Sequence, residues 1–246
     1  LSCMATEACR KCSACLQNDL AARIWQQPGV KVHLNTQVTE MKKNGNQYQC
    51  RTDARKTICA DALIMATGYT PAVPGGLMGD AYRDLDQVIT TRDLNQLLKA
   101  DRPLPELKAK PAPKIGFVQC VGSRHRESGK DYCSQVCCTI SLRHIQKLLH
   151  LYPDAEICLY YIDLQLITRE MRSCFELLSD RIRLIQGVPF EIFHTPGPHP
   201  VSVIRENMHD CSRVRDQFDL MVLSVGIHAP DEGLSLFESM KFPVDQ

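Results

Sequence analysis

One stretch constrains this chain more than any other. From Lys114 to Leu149 it reads as a strand, a loop and a helix with four cysteines at the turn. Ile115–Val121 is a short apolar run between a proline-rich segment and Gly122, the pattern of a buried strand. After a polar loop, Ser134 stands in N-cap position, and Val136, Ile140, Ile145, Leu148 and Leu149 recur at helical spacing. Cys120 closes the strand, Cys133 precedes the helix, and Cys137 and Cys138 lie in its first turn. In a continuous helix Cys133 and Cys137 share one face, and Cys138 sits about 100° further round. The helix's positive end favours negative charge, such as thiolates around a metal centre. The turn reads as a cofactor site.

Thirteen cysteines in 246 residues, odd in number and clustered, suit metal or redox use better than a secreted disulfide framework. A reducing cytoplasm is the expected setting. Cys50, Cys59, Cys158, Cys174 and Cys211 are scattered and are expected to be buried free thiols. A second cluster, Cys3, Cys9, Cys12 and Cys15, has C-x5-C-x2-C-x2-C spacing, which fits iron–sulfur or zinc ligation. The start lacks the apolar core of a secretory signal and does not begin with Met, so a piece of a longer protein is expected. A net charge of +1 and a single tryptophan give no footprint for nucleic acid. No apolar run reaches the ~18 residues of a membrane span.

The rest of the chain supplies the frame. A helix is expected over Asn18–Gln27, with Leu20 and Ile24 inward and Pro28-Gly29 as its stop. Strands follow at Val30–Val38, Gln47–Thr52 and Thr57–Ala60, with Asn44-Gly45 as a turn. Asp61–Pro71 reads as a buried strand ending in a glycine turn at Gly68. A second copy of the plan runs through Ile182–Phe193 and Val201–Glu206 to a buried strand in Asp219–Pro230, turning at Gly226. Between the copies, Thr90–Lys99 is a helix with Thr90 and Asp93 in capping-box spacing. Asp101–Pro113 holds four prolines and is the expected domain boundary. Strands at Ile115–Val121 and Ala155–Ile162 and a helix near Arg169–Leu178 complete a parallel unit, with Cys120 at the carboxyl end where ligands bind such sheets. No G-x-G-x-x-G occurs, so no dinucleotide phosphate turn is expected. Arg124, His125 and Arg126 read as a solvated loop, His144 as surface, and Asp163 as a turn or cap residue.

The segments QCVGSR, YCSQVCC and DAEICLYYIDLQ closely resemble the heterodisulfide reductase A-subunit family and its relatives in quinone-interacting membrane-bound oxidoreductase complexes. CSACLQNDLAARI, GVKVHLNTQVTEM, ALIMATGYTP, VITTRDLNQLL and LMVLSVGIHAP follow the same family in order. The resemblance implies an α/β fold of two dinucleotide-binding domains, thioredoxin-reductase-like and incomplete, whose Rossmann-like second domain carries the cluster. It implies a 4Fe–4S cluster on Cys120, Cys133, Cys137 and Cys138, and FAD near Ala66, Thr67 and Gly68. Gly122, Ser123 and Gly226 would shape the cofactor turns, and Cys9, Cys12 and Cys15 would act on a further metal centre. The expected domains are a partial flavin-type domain at 1–104, an iron–sulfur domain at 105–229 and a return to the flavin domain at 230–246. The chain lacks the family's glycine-rich strand–turn–helix and ends before its final flavin-covering segment, so FAD binding is expected of the intact protein. The implied function is an electron-transfer subunit, or a fragment of one, of a heterodisulfide-reductase-like oxidoreductase, partnered by other subunits and iron–sulfur carriers. Two alternatives stand beside it: a structural zinc-binding interaction module, and a pyridine-nucleotide disulfide oxidoreductase using Cys12 and Cys15.

Overall fold

The computed structural model describes residues 14–99, 104, 107, 110–126 and 130–240. The described chain divides into two compact units, one built on Pro71–Ile227 and the other on Leu16–Thr70 with residues 228–240.

The larger unit is built around a parallel sheet. Its strands are β5 (Val88–Thr90), β6 (Lys114–Val121), β7 (Glu156–Tyr161), β8 (Ile182–Gln186) and β12 (Leu220–Val225), in the order β5-β12-β6-β7-β8. Helices α2 (Gly76–Asp84), α3 (Thr91–Lys99), α4 (Cys137–Leu151) and α5 (Arg169–Leu178) accompany it. The central strands are largely apolar, as expected of strands covered on both faces, and β12 is buried along its whole length. Alternation divides β6 between two cores. Ile115 and Phe117 pack with Leu94, Leu142, Ile145, Leu148 and Met171. Val118 packs with Tyr160, Met221, Leu223 and Phe218. That second face is closed by an antiparallel meander, β9 (Glu191–His194), β10 (Val201–Glu206) and β11 (Arg213–Phe218), which adds Ile192, Val201 and Val203 to the core. Each fully buried Leu or Phe contributes about 1.5–3 kcal/mol.

Two features of this unit lie outside the sequence expectations. Val88–Thr90, placed ahead of α3, is a sheet strand paired with Met221–Leu223. Leu104 and Leu107, inside the proline-rich segment, are buried in the same core as Phe117. The capping box forms as expected. Asp93 Oδ2 accepts from the Thr90 amide at 2.9 Å and from the Thr90 hydroxyl at 2.6 Å, and the Asp93 amide donates back at 3.2 Å.

The smaller unit holds α1 (Ala14–Gln26), the antiparallel sheet β1 (Val38–Asn44), β2 (Gln47–Thr52) and β3 (Thr57–Ala60), and α6 (Asp231–Ser239). Two-residue strands β4 (Thr70–Pro71) and β13 (Ile227–His228) lie where the chain passes between units. The Asn44-Gly45 turn forms, with Gly45 in the left-handed region, but the strand expected over Val30–Val38 does not: residues 30–37 are irregular, and the strand before the turn is Val38–Asn44. Three expectations are corrected here. Leu20 and Ile24 of α1 are about half exposed, because no described element covers that face. The stretch 62–68 is irregular, and Ile64 is 89% exposed. A buried strand needs sheet neighbours, and among the described residues of this unit the only sheet of three strands is the antiparallel one. Finally, Cys59 and Cys211 are exposed, whereas Cys50, Cys158 and Cys174 are buried.

Candidate functional site

The site grows from a defect in β6. Val118 pairs with Leu223 and Val121 with Val225, so Gln119 and Cys120 together oppose Ser224. A bulge of this kind bends a strand and re-aims a side chain. Cys120 itself has φ 63°, a conformation rare for a residue with a β-carbon. Gly122 follows at φ 70°, and a β-carbon there would stand 2.5 Å from the Ala72 side chain. Arg124 and Gln135 are also left-handed. The chain therefore folds back sharply on itself between Cys120 and the start of α4.

Ser123 and Ser134 lock that fold. Ser123 Oγ donates to the Tyr132 carbonyl at 2.9 Å, and the Ser134 amide donates to Ser123 Oγ at 3.2 Å. The Ile227 amide donates to Ser134 Oγ at 3.0 Å. A β-carbon on Gly226, just after β12, would meet Ser134 Oγ at 2.6 Å and Ser123 Cβ at 2.7 Å, so glycine is needed where the chain passes the lock. Ser134 is thus not the N-cap expected of it. The helix begins at Cys137 with Val136 as N-cap, and the left-handed Gln135 breaks the continuity that would have aligned Cys133 with Cys137.

The turn brings Cys120, Cys133, Cys137 and Cys138 into mutual electrostatic range. Burial, then the neighbouring Cys138, pushes the Cys120 thiol up to about 11, with Arg124 pulling the other way. Burial, then Cys120, Cys138 and Cys133, pushes Cys137 up to about 12. Burial also raises Cys138, against a hydrogen bond from the Gln165 backbone. Cys137 Sγ donates to the Val225 carbonyl at 3.4 Å, and the Gln135 amide donates to Cys133 Sγ at 3.4 Å. Four thiols that repel one another as thiolates are an arrangement completed by a cation-bearing group. Among the described residues no three Cys, His, Asp or Glu side chains gather closely enough to hold a single metal ion. A cavity of about 550 Å³ opens beside Cys120 and Gly122, walled by Val73, Met78, Ile162 and Phe190.

Arg124 is not a solvated loop residue, nor Asp163 a simple turn residue. Arg124 Nη1 lies 2.6 Å from Asp163 Oδ1, which ties the cysteine turn to the segment after β7. His144, expected at the surface, is 2% exposed, because it lies two turns along α4 on the face carrying Cys137, Ser141 and Leu148. The flavin-type residues Ala66, Thr67 and Gly68 fall in the smaller unit, with Gly68 at φ 75°. A β-carbon on Gly233 of α6 would lie 3.0 Å from Thr67 Oγ1. Cys3, Cys9 and Cys12 lie outside the described residues; Cys15 falls in α1.

Residues 4–92 match the family described as pyridine nucleotide-disulphide oxidoreductase. The CoB–CoM heterodisulfide reductase iron–sulfur A-subunit 2 of Methanopyrus kandleri is 34% identical over 173 residues, 68% of this chain and 26% of that protein. The A-subunit of the H(2):CoB-CoM heterodisulfide,ferredoxin reductase of Methanothermobacter thermautotrophicus is 30% identical over 177 residues, 69% of this chain and 27% of that protein. The chain spans about a quarter of the length of these curated relatives. Thioredoxin reductase of T. acidophilum superposes with a TM-score of 0.51 at 14% identity, covering 93% of this chain and 60% of that one. An ornithine N-hydroxylase of Kutzneria sp. 744 superposes with a TM-score of 0.51 at 12% identity, over 89% and 60%. These likenesses establish the Rossmann-like flavoprotein fold, and no helix among the described residues is long and apolar enough to cross a membrane. Over the two thirds of its length that these relatives match, the chain belongs to the heterodisulfide reductase A-subunit family.

Proposed function

We propose that this chain is part of an electron-transfer subunit of a heterodisulfide-reductase-like oxidoreductase, with a 4Fe–4S cluster on Cys120, Cys133, Cys137 and Cys138 and FAD held near Ala66, Thr67 and Gly68 in the longer protein. One observation carries the reading: four interacting thiols stand at the carboxyl end of β6, where a Rossmann sheet ordinarily cradles phosphates. The donor set fits an iron–sulfur group, since four thiolates match its ligands.

When bound, the cluster would supply one-electron steps and the flavin two-electron steps. The chain's own residues bind and orient. The four cysteines would ligate, and Arg124 would set a positive charge against the thiolates. Ser123 and Ser134 tie the loop beside Cys133 to the strand ends at Cys120 and Ile227, and Gly226 leaves room for that tie. Cys9, Cys12 and Cys15 would serve a further metal centre. In functional terms residues 1–104 and 230–246 would form the flavin-type part and 105–229 the cluster-bearing part. The electrons would pass to other subunits and to iron–sulfur carriers.

Anaerobic reconstitution followed by iron and sulfide analysis tests the reading. About four irons and four acid-labile sulfides at this site are expected, with the paramagnetic signal of the reduced protein lost in Cys137→Ser. Stoichiometric zinc without labile sulfide would replace this reading with a structural zinc module.

A further inference from the structure

Beneath the cysteine turn lies a set of buried polar groups that neither the core nor the lock accounts for. Ser141 and Ser224 are fully buried and share a hydrogen bond of 2.7 Å. Gln119, 1% exposed, has no hydrogen-bond partner for either its amide nitrogen or its amide oxygen among the described residues. Leaving one such group unpaired in a core costs about 1–3 kcal/mol. A leucine of similar size would avoid that cost, so the carboxamide has to be kept for something.

Its place indicates what. Alternation along β6 sets Gln119 with Ile115 and Phe117, on the sheet face that α4 covers with Leu142 and Ile145. The bulge sets it opposite Ser224 together with Cys120, the next residue. Ser224 reaches Ser141, one turn below Cys137, and Cys137 Sγ itself points at the Val225 carbonyl. Gln119 therefore adjoins Cys120 at the bulge, opposite the stretch of β12 that meets the first turns of α4 through Ser141 and Cys137.

We propose that Gln119 is a positioning residue for the cysteine centre: its carboxamide N–H is the hydrogen-bond donor that the fold reserves for the sulfurs of the group bound there. This rests on the iron–sulfur reading above. A donor aimed at sulfur favours the more negative, reduced state of a cluster and raises its potential.

The test uses the full chain, reconstituted anaerobically, with Gln119→Leu and Gln119→Met as volume-conserving changes. Both should load the wild-type amounts of iron and sulfide, and their metal-free forms should melt no lower than wild type, since an unpaired amide has been removed. At a fixed applied potential the reduced-to-oxidised ratio should fall about tenfold, about 59 mV for a one-electron couple. In wild-type protein carrying nitrogen-15 in its glutamine side chains, pulsed paramagnetic resonance of the reduced centre should show a nitrogen-15 coupling that both variants lose. Unchanged potentials in fully loaded variants, or no such coupling in the wild type, would overturn the assignment of Gln119. Wild-type protein without labile sulfide would overturn the cluster itself, and is read before any variant is made.

Discussion

Arg124 and Asp163 bridge two successive strand ends of the parallel sheet, with 2.6 Å between guanidinium and carboxylate. Asp163 follows β7, and Arg124 follows β6 four residues after Cys120. In a dinucleotide-binding sheet an acid near this position would hold a ribose. Here it holds an arginine, and the arginine's charge is turned on the thiols, favouring the Cys120 thiolate. Since Asp163 is about half exposed, the pair adds little to stability. Its consequence is local and electrostatic.

Arg124→Ala should therefore leave the fold intact and make Cys120 harder to ionise. In metal-free protein the alkylation rate of Cys120 at mildly alkaline pH should fall roughly two- to fivefold, the size of an exposed pair's ~0.5–1 kcal/mol. Arg124→Lys should retain part of the rate. Peptide-resolved mass spectrometry after timed alkylation reads this directly, and an unchanged rate would remove Arg124 from the electrostatics of the site.

Gly226→Ala should uncouple the site from the core. The added methyl group would press on Ser134 and Ser123, and overpacking of this kind costs about 1–3 kcal/mol. Because the clash falls on the lock and not on the sheet, iron uptake should drop more than stability does. Iron stoichiometry and a urea denaturation curve on the same preparation separate the two effects. A variant that loads normally would show that the Ser123–Ser134 lock is dispensable.

Asp93→Ala should destabilise the larger unit by about 1–2 kcal/mol, the usual cost of a lost cap, or roughly 2–8 °C in melting temperature for a protein of this size. The carboxylate serves the Thr90 amide and hydroxyl and also the Tyr82 hydroxyl at 3.1 Å. Asp93→Asn should cost less, since the side-chain oxygen remains. Thermal unfolding of the three proteins gives the ranking, and equal melting points would contradict it.

Much of this architecture is legible in the residues, and the misses have a common physical form. Long apolar strands and strongly periodic helices, such as Leu220–Val225 and Arg169–Leu178, declare themselves locally. The capping box at Thr90 and Asp93 does so as well. What stays hidden depends on partners distant in sequence. Val88–Thr90 is too short to stand out and becomes a strand only against Met221–Leu223. Ser134 has the chemistry of an N-cap but is taken by Ser123 and Ile227. Ile64 lies in a run that looks buried and is not. At the site the cysteine spacing is visible, whereas the bulge that gives Gln119 its place needs the register of β12. His144 is legible in principle: with Cys137, Ser141 and Leu148 it makes one helical stripe.

That stripe leads to a pH dependence with two separable windows. His144 is buried, and burial lowers its pKa from 6.5 to about 4. For a group depressed on folding, the stabilising contribution is present above the unfolded value and is lost as pH falls toward the folded one. Between pH 6.5 and about 4, then, the unfolded chain takes up a proton that the folded chain refuses, a loss on the order of 3 kcal/mol across the window. Asp219 acts lower. Burial opposes its ionisation, but hydrogen bonds from Lys110, the Lys114 amide and His199 outweigh burial and hold the carboxyl below the ordinary carboxylate range. Its contribution is complete above about pH 4 and disappears as pH falls through the folded value. Urea denaturation of the metal-free protein as a function of pH should thus show a first decline from pH 6.5 that His144→Leu flattens, and a second below about pH 4 that His144→Leu leaves in place. Asp219→Asn should do the reverse, flattening the lower decline at a cost of about 3 kcal/mol at neutral pH. A His144→Leu protein with the wild-type slope between pH 6.5 and 5 would show that the histidine is hydrated in solution and not part of the dry face of α4.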